Sequence, residues 1–200
     1  MPRGFSEEQK KIINERLKKE GLKLFEKYGL QKTTVEEIAK NSGISKGAFY
    51  LFYPSKESLF FEIIEKIERD FKKKLFQEIE KSEEKPEEIL RKLIMNSFNF
   101  IFSNPIIKNL SGKDLTYLYN TIPSQTIDKH MSVDISQFLN FISQQMDKGY
   151  FPKKDTQKLK SFFKIFEMII FSKDRLDDLE FNSIIEILTE SLVSYLKRPD

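Results

Sequence analysis

Hydroxyl, phenol and ammonium groups are concentrated in one short stretch of the chain. Thr33 and Thr34 open it, Ser45 and Lys46 follow, and Tyr50 closes it. Such side chains bind phosphate oxygens and base edges through hydrogen bonds and charge, without covalent chemistry. The segment from Ser45 to Tyr50 is therefore suited to non-covalent binding rather than to catalysis.

Catalytic chemistry has few candidates in this sequence. The chain has no cysteine, and it has a single histidine, His130. Disulfides, cysteine zinc sites and cysteine nucleophiles are excluded, and we expect no metal, no cofactor and no catalytic residue. A helical enzyme acting on an apolar substrate is an alternative, but no nucleophile, base or phosphate-binding glycine motif supports it.

The polar stretch is predicted to lie on two helices joined by a sharp turn. Thr34 and Glu37 have the spacing of a capping box, which starts a helix. The small Ala39 allows the next helix to approach, and Gly43 can adopt the left-handed conformation that such a turn needs. The second helix, from Ser45, would present its N-terminal end as in helices that enter the major groove. Helical hairpins of this kind also occur in proteins that never bind DNA.

Apolar residues recur at helical spacing along nearly the whole chain, without sustained two-residue alternation, so the predicted fold class is all-α. Helices are expected over residues 6–29, 34–42, 45–53, 55–80, 86–104, 132–148, 155–171 and 177–197, with short helices and turns from 105 to 131.

The net charge of +3 is unevenly distributed. Residues 1–60 contain 12 Lys and Arg against 8 Asp and Glu, whereas residues 61–200 contain 22 against 23. A positive excess at one end is expected where a protein meets a polyanion. A chance fluctuation of a few charges is the other interpretation.

Three segments within residues 5–60 have a specific pattern, namely Leu24 to Gly29, Thr33 to Ala39 and Gly43 to Leu59. They resemble the N-terminal signature of the TetR/AcrR family of regulators. The resemblance implies a three-helix helix-turn-helix DNA-binding domain, which we assign to residues 1–54. It also implies a long fourth helix that leads into a helical ligand-binding and dimerisation domain, which we assign to residues 55–200.

The resemblance also assigns DNA contacts. They are Thr33, Thr34, Ser45, Lys46, Gly47, Ala48, Tyr50, Leu51 and Lys56. Thr33, Thr34 and Lys56 would hold phosphates, although a threonine can serve only as a helix cap and a lysine can simply be solvated. Leu51 departs from the family, which often has a histidine or another polar group there, and Phe52 replaces a common tyrosine. Leu51 would then contact a thymine methyl or pack internally.

The second half of the chain is rich in aromatic residues, which predicts either an apolar cavity for an effector or a solid aromatic core. Candidate effector-binding residues are Phe98, Phe102, Tyr117, Phe138, Phe141, Phe166 and Glu167. Glu167 lies in an apolar run, where an unpaired buried carboxylate is unfavourable. It would bind a cationic ligand, pair with a lysine across a dimer, or face water.

The family resemblance implies a homodimer formed by the last two helices. An apolar stripe on the last helix is compatible with this interface, and it consists of Phe181, Ile184, Ile185, Leu188, Leu192 and Leu196. Two-fold symmetry would place two recognition helices roughly 34–36 Å apart and predicts a palindromic operator.

We therefore expect a ligand-responsive transcriptional regulator, with repression as the expected mode of action. It would bind a double-stranded DNA operator as a homodimer and be released by a small apolar or aromatic effector. A helical adaptor that binds another protein is the alternative from a different class. The longest apolar stretch is interrupted by Lys164 and Glu167, so we expect no membrane association and a cytoplasmic setting.

Overall fold

The computed structural model describes residues 5–108, 110–172 and 175–199, and this part of the chain forms ten α-helices and no strand. The all-α prediction is confirmed. The helices are α1 (Glu7–Lys32), α2 (Val35–Asn41), α3 (Lys46–Phe49), α4 (Lys56–Glu80), α5 (Pro86–Ser103), α6 (Pro105–Lys108), α7 (Gly112–Thr121), α8 (Ser124–Asp147), α9 (Thr156–Phe171) and α10 (Asp178–Lys197).

Local capping interactions start several of these helices where the sequence predicted. The Ser6 hydroxyl accepts from the backbone N–H of Gln9 at 3.2 Å, and the Gln9 side chain returns to the Ser6 N–H at 2.9 Å. Asp177 makes the same reciprocal arrangement with Glu180 at the start of α10. Each box satisfies two amides that have no partner within the helix.

Three helix boundaries differ from the predictions. α1, expected to end at Gly29, continues to Lys32 across a kink at Gly29. α3 is a single turn of four residues, because the chain turns again before Pro54. α8 begins at Ser124 rather than near residue 132. The early part of α8 is mostly exposed and buries only Ile127, so its sequence lacks the apolar stripe by which a helix is recognised. Pro123 lies at its N-cap and makes no side-chain capping bond.

The chain divides into two compact units, and the division falls within α4. Unit 1 comprises residues 1–70 and 104–110, and unit 2 comprises residues 71–103 and 111–200. The predicted boundary between residues 54 and 55 separates a DNA-binding domain from a ligand-binding domain. This division by function stays a prediction.

Unit 1 has a core made by α1 to α4. Phe25 and Phe60 meet edge to face, with ring centroids 4.9 Å apart. A Cβ atom added at Gly21 would lie 3.0 Å from a methyl carbon of Leu59, so the absence of a side chain at Gly21 allows α1 and α4 to approach closely. The other fully buried side chains of this core include Leu17, Ile38 and Phe49. This packing fixes the frame on which the polar stretch is held.

Unit 2 has its own core, in which α5 packs against α10 and α8 against α9. The apolar stripe predicted for a dimer interface belongs to this core. Phe181, Ile185, Leu192 and Leu196 are 5% exposed or less within the subunit. These four side chains are therefore unavailable to a second subunit.

Among the described residues, no helix is both long enough and apolar enough to traverse a bilayer.

Candidate functional site

The turn between α2 and α3 has the conformation that the sequence predicted. Gly43 has a φ of 75°, in the left-handed region that favours glycine. The N–H of Gly43 donates to the carbonyl of Lys40 at 3.1 Å, and the N–H of Ile44 donates to that of Ala39 at 3.0 Å. The carbonyls at the end of α2 are therefore satisfied within the turn, which sends the chain directly into α3.

α3 is oriented by one buried ring. Phe49 is fully buried and lies 5.9 Å, centroid to centroid, from the ring of Tyr53. Ser45 caps the helix by accepting from the N–H of Ala48 at 3.1 Å. Because Phe49 faces the core, the opposite side of the helix faces outward.

We call this outward side the recognition surface. It consists of Ser45, Lys46, Gly47, Ala48, Tyr50 and Leu51. Tyr50 is 50% exposed and Leu51 is 75% exposed, while Ala48 is half-buried. An exposed phenol, an ammonium group and an apolar side chain on one short helix can donate to phosphates, bond to base edges and contact a thymine methyl. The structure thus brings together six of the nine predicted DNA-contacting residues.

Thr34 lies exposed at the start of α2, but its hydroxyl has a local function. It accepts from the N–H of Glu37 at 3.2 Å and donates to the Glu37 carboxylate at 2.7 Å. Thr34 is therefore the N-cap of α2, and an external contact would have to share this hydroxyl.

Thr33 is placed differently from the prediction of a phosphate contact. Its side chain is fully buried, and its hydroxyl lies 2.8 Å from the carbonyl oxygen of Gly29 and 3.3 Å from that of Leu24. Gly29 interrupts α1 with a φ of 77°, and its carbonyl also accepts from the backbone N–H of Thr33 at 3.3 Å. We leave Thr33 out of the proposed interface because its hydroxyl is turned inward.

Lys56 is also engaged within the protein. Its ammonium group donates to the backbone carbonyls of Leu30 at 2.8 Å, Gln31 at 3.1 Å and Thr33 at 2.8 Å. An ammonium group has three protons, so this geometry uses all of them. We leave Lys56 out of the proposed interface for this reason.

The sequence did not reveal the residues that hold the C-terminal end of the recognition surface. Tyr53 is buried, and its hydroxyl donates to the Asn14 side chain at 2.5 Å. Burial raises the pKa of Tyr53 well above its ordinary value, so the phenol stays protonated and remains a donor. The bond joins residues 39 positions apart and has no local signature in the sequence.

A groove of about 530 Å³ lies beside Leu51. Lys10 and Lys11 of α1 line it together with Phe5, and the ring of Phe5 is 6.0 Å from that of Phe52. Glu7 and Glu62 line the groove as well, and Glu7 lies 2.7 Å from the ammonium group of Lys10, so the groove has both signs of charge next to the exposed end of the recognition surface.

The candidate effector residues lie in unit 2 and do not all face one interior. Phe98, Phe141 and Phe166 are buried, and Phe102 and Phe138 are half-buried. Tyr117, by contrast, is 41% exposed.

The buried rings pack on one another. The centroid of Phe98 is 5.2 Å from that of Phe166, and Phe138 lies 5.2 Å from Phe163. These distances are those of packed aromatic pairs, so a ligand placed among these rings would have to displace some of them.

Glu167 has a partner on its own helix. Its carboxylate lies 2.7 Å from the ammonium group of Lys164, and its side chain is 17% exposed. The sequence analysis offered a cationic ligand, a lysine across a dimer, or water as the partner of Glu167. The observed partner is a lysine, but it belongs to α9 of the same chain. Elsewhere in the part of the chain that the structure describes, no group of three or more His, Asp or Glu side chains is arranged to hold a metal ion.

Comparison with known proteins agrees with this geometry. Residues 19–63 match the family described as bacterial regulatory proteins, tetR family. Over 45 residues the chain is 56% identical to the HTH-type transcriptional regulator YerO of Bacillus subtilis. This matched segment is 22% of this chain and 16% of YerO. Over 115 residues it is 26% identical to the nucleoid occlusion factor SlmA of Glaesserella parasuis, covering 57% of this chain and 56% of SlmA.

Solved structures extend the likeness to the whole fold. The TetR family repressor FadR of Thermus thermophilus, solved with lauroyl-CoA, superposes with a TM-score of 0.71 at 16% identity, over 94% of this chain and 96% of FadR. The structure of RolR with resorcinol gives a TM-score of 0.66 at 14% identity, over 97% of this chain and 92% of RolR.

YerO and FadR, two of these similar proteins, are both described as transcriptional regulators. The family that matches residues 19–63 is described as one of regulatory proteins. The match lies on the helices that carry the recognition surface, since residues 19–63 include α2, α3 and the turn between them. Residues 19–63 of the chain are therefore similar to the tetR family of bacterial regulatory proteins.

Proposed function

We propose that this chain is a ligand-responsive transcriptional regulator that binds double-stranded DNA as a homodimer and represses the genes beside a palindromic operator. The recognition surface is the observation that carries the proposal. Buried Phe49 turns α3 so that Lys46, Tyr50 and Leu51 project outward together, from the unit that contains the family match. Phosphate contacts would position this surface, and contacts to base edges would give it sequence preference.

The DNA-binding step is tested with a double variant and a matched control. Duplexes are first selected with the wild-type protein from its native genome, and binding is then measured by mobility shift. Lys46→Ala with Tyr50→Ala should abolish retention while helicity is unchanged. Lys148→Ala with Tyr150→Ala removes the same side-chain types from exposed positions of unit 2 and should leave retention intact. Full retention by the first double variant would contradict the proposed recognition surface.

The dimer is supported by apolar side chains that α9 and α10 leave exposed. Met168 is 63% exposed and Ile187 is 64% exposed, although both are large and apolar. Apolar groups exposed on the last two helices are typical of an association surface. Met168→Lys with Ile187→Lys should convert a dimer into monomers in light scattering, whereas Tyr150→Lys should not. A wild-type protein that is monomeric at micromolar concentration would contradict the dimer.

Two-fold symmetry of the dimer predicts the form of the operator. Footprinting should show two inverted half-sites with centres about 10 base pairs apart or a multiple of that. Protection of a single half-site would contradict the palindromic operator.

The effector is proposed to be a small apolar or aromatic molecule that enters the aromatic interior of unit 2. Phe98, Phe102, Phe138, Phe141 and Phe166 support this, because they concentrate rings between α5, α8 and α9. Lauroyl-CoA and resorcinol, which the two related structures contain, are the first probes. A ligand at 100 times its Kd should stabilise the native state by about 2.7 kcal/mol.

The same ligand should weaken operator binding, since effector and DNA affect each other's affinity by the same factor. Thermal unfolding and mobility shift with each probe measure the two effects. Stabilisation without weaker DNA binding would contradict ligand-induced release.

A further inference from the structure

The only lysine on the recognition surface already has an acidic partner. The ammonium group of Lys46 hydrogen-bonds to the carboxylate of Glu36, across the turn from α3 to α2. Both side chains are more than half exposed. The hydrogen bond raises the pKa of Lys46 and lowers the pKa of Glu36, so both groups are charged at neutral pH. Lys46 therefore lies beside a carboxylate in the DNA-free protein.

Glu36 has no part in capping α2, unlike the residue that follows it. The Glu37 carboxylate accepts from the N–H of Thr34 at 3.0 Å and from its hydroxyl at 2.7 Å. The Glu36 carboxylate instead accepts from the ammonium group of Lys46. Replacement of Glu36 by glutamine should therefore leave the capping box and the fold of α2 intact.

The position of Glu36 makes it a competitor for phosphate. A carboxylate and a phosphate both offer anionic oxygens to an ammonium group. A duplex that reaches the recognition surface can gain the Lys46 contact only by exchanging the carboxylate for a phosphate. Exposed ion pairs are weak, so the exchange is possible but reduces the net gain from that contact.

We propose that Glu36 restrains binding to DNA of arbitrary sequence by competing with phosphates for Lys46. This inference rests on the proposed DNA-binding function. The affinity for DNA of arbitrary sequence depends on how many phosphates the lysine and arginine side chains neutralise. A lysine that stays paired with a carboxylate therefore lowers this affinity. In this proposal Glu36 acts through Lys46, so it is a positioning residue of the recognition surface.

The test measures binding of the full-length protein to a random-sequence duplex over a series of salt concentrations. Glu36→Gln should strengthen binding about two- to fivefold for each subunit that contacts the duplex, the size of one exposed ion pair. If the lysine of each subunit then meets a phosphate, the slope of log K against log salt should steepen by about 0.9 per subunit. Glu26→Gln, at an exposed position of α1, makes the same change in net charge and serves as the control.

A double-mutant cycle separates competition for Lys46 from simple repulsion of DNA. In a Lys46→Gln background, Glu36→Gln should have no more effect than Glu26→Gln, because the carboxylate then has no lysine to hold. An effect of full size in that background would overturn the proposal, as would identical behaviour of Glu36→Gln and Glu26→Gln in the otherwise wild-type protein.

The failure of this inference differs from the failure of the proposed function. Wild-type protein that binds duplex DNA while Glu36→Gln matches its control would refute the inference alone. Wild-type protein that binds no duplex at low salt would refute both. The pair itself is tested without DNA, because the carboxyl carbon of Glu36 should titrate at a lower pKa in the wild type than in Lys46→Gln when followed by NMR.

Discussion

The ammonium group of Lys56 lies 2.8 Å from the carbonyl oxygen of Thr33. Its other two protons are directed to the carbonyls of Leu30 and Gln31. One side chain from the first turn of α4 thereby satisfies the carbonyls where α1 ends and the path to α2 begins. This geometry favours structural support of unit 1 over the phosphate contact that the family resemblance implied, and the two functions lead to opposite expectations.

Lys56→Met should destabilise the protein without changing the salt dependence of DNA binding. Bonds from a charged donor to backbone carbonyls are lost, and we expect a decrease of about 2 kcal/mol in the free energy of unfolding. Urea unfolding followed by circular dichroism measures the loss, and a salt series with a duplex measures the dependence. Lys19→Met, at an exposed position of α1, is the control and should change stability by less than about 0.5 kcal/mol. Unchanged stability with a slope reduced by about 0.9 per subunit would establish a phosphate contact instead.

Gly43→Ala and Gly47→Ala should have opposite consequences. Gly43 has a φ of 75°, and a Cβ atom there would meet nothing within 4 Å, so the expected loss of about 1 kcal/mol comes from backbone strain alone. Gly47 lies in α3, where the nearest atom to an added Cβ is the Ser45 hydroxyl at 3.9 Å. Gly47→Ala should keep or raise the melting temperature. It should nevertheless weaken DNA retention, since the methyl group lies on the recognition surface. Equal melting temperatures for the two variants would contradict the strain argument.

Thr33→Val should destabilise unit 1 although it preserves the shape of the side chain. Valine cannot donate to the carbonyls of Gly29 and Leu24, although the backbone N–H of residue 33 still donates to the Gly29 carbonyl. Loss of the hydroxyl bond should decrease the free energy of unfolding by about 0.5 to 1.5 kcal/mol. Thr116→Val is the matched control, because the Thr116 hydroxyl makes the same kind of bond to Gly112 at 2.8 Å on the exposed surface of α7. A smaller effect at Thr33 than at Thr116 would show that the buried bond is unimportant.

Phe98→Ala should be severely destabilising, whereas Tyr117→Ala should not. Phe98 is 7% exposed and meets the rings of Phe166 and Phe181, so its truncation leaves a cavity that should cost about 3 to 5 kcal/mol. Tyr117 is 41% exposed, and its loss should change stability by less than about 0.5 kcal/mol. Chemical unfolding of both variants measures the difference. An effector that stabilises Phe98→Ala more than the wild type would indicate that it occupies the vacated space.

Features that depend on neighbouring residues could be predicted from the sequence. The capping boxes at Ser6, Thr34 and Asp177 join groups three residues apart, so their spacing alone specifies the bonds. The positive φ of Gly43 is likewise a local requirement of a short turn. Helical periodicity gave the fold class for the same reason, since it describes one face of one element at a time.

Features that depend on distant residues could not be predicted in this way. A buried hydroxyl and an exposed one have the same letter in the sequence, and Thr33 and Thr34 are adjacent, yet the first faces the core and the second faces outward. The stripe on α10 has the spacing of an interface, but periodicity shows only that a helix has an apolar face and not which partner covers it.

The sequence by itself determined an all-helical chain with a turn at Gly43 and a polar helix after it, because capping, turn geometry and periodicity act within a few residues. Only the tertiary structure decided that Lys56 serves the backbone of unit 1, that Phe181 and Leu192 face their own subunit, and that Glu36 reaches Lys46. These contacts form only once separate elements have packed, and burial and pairing are properties of that packing.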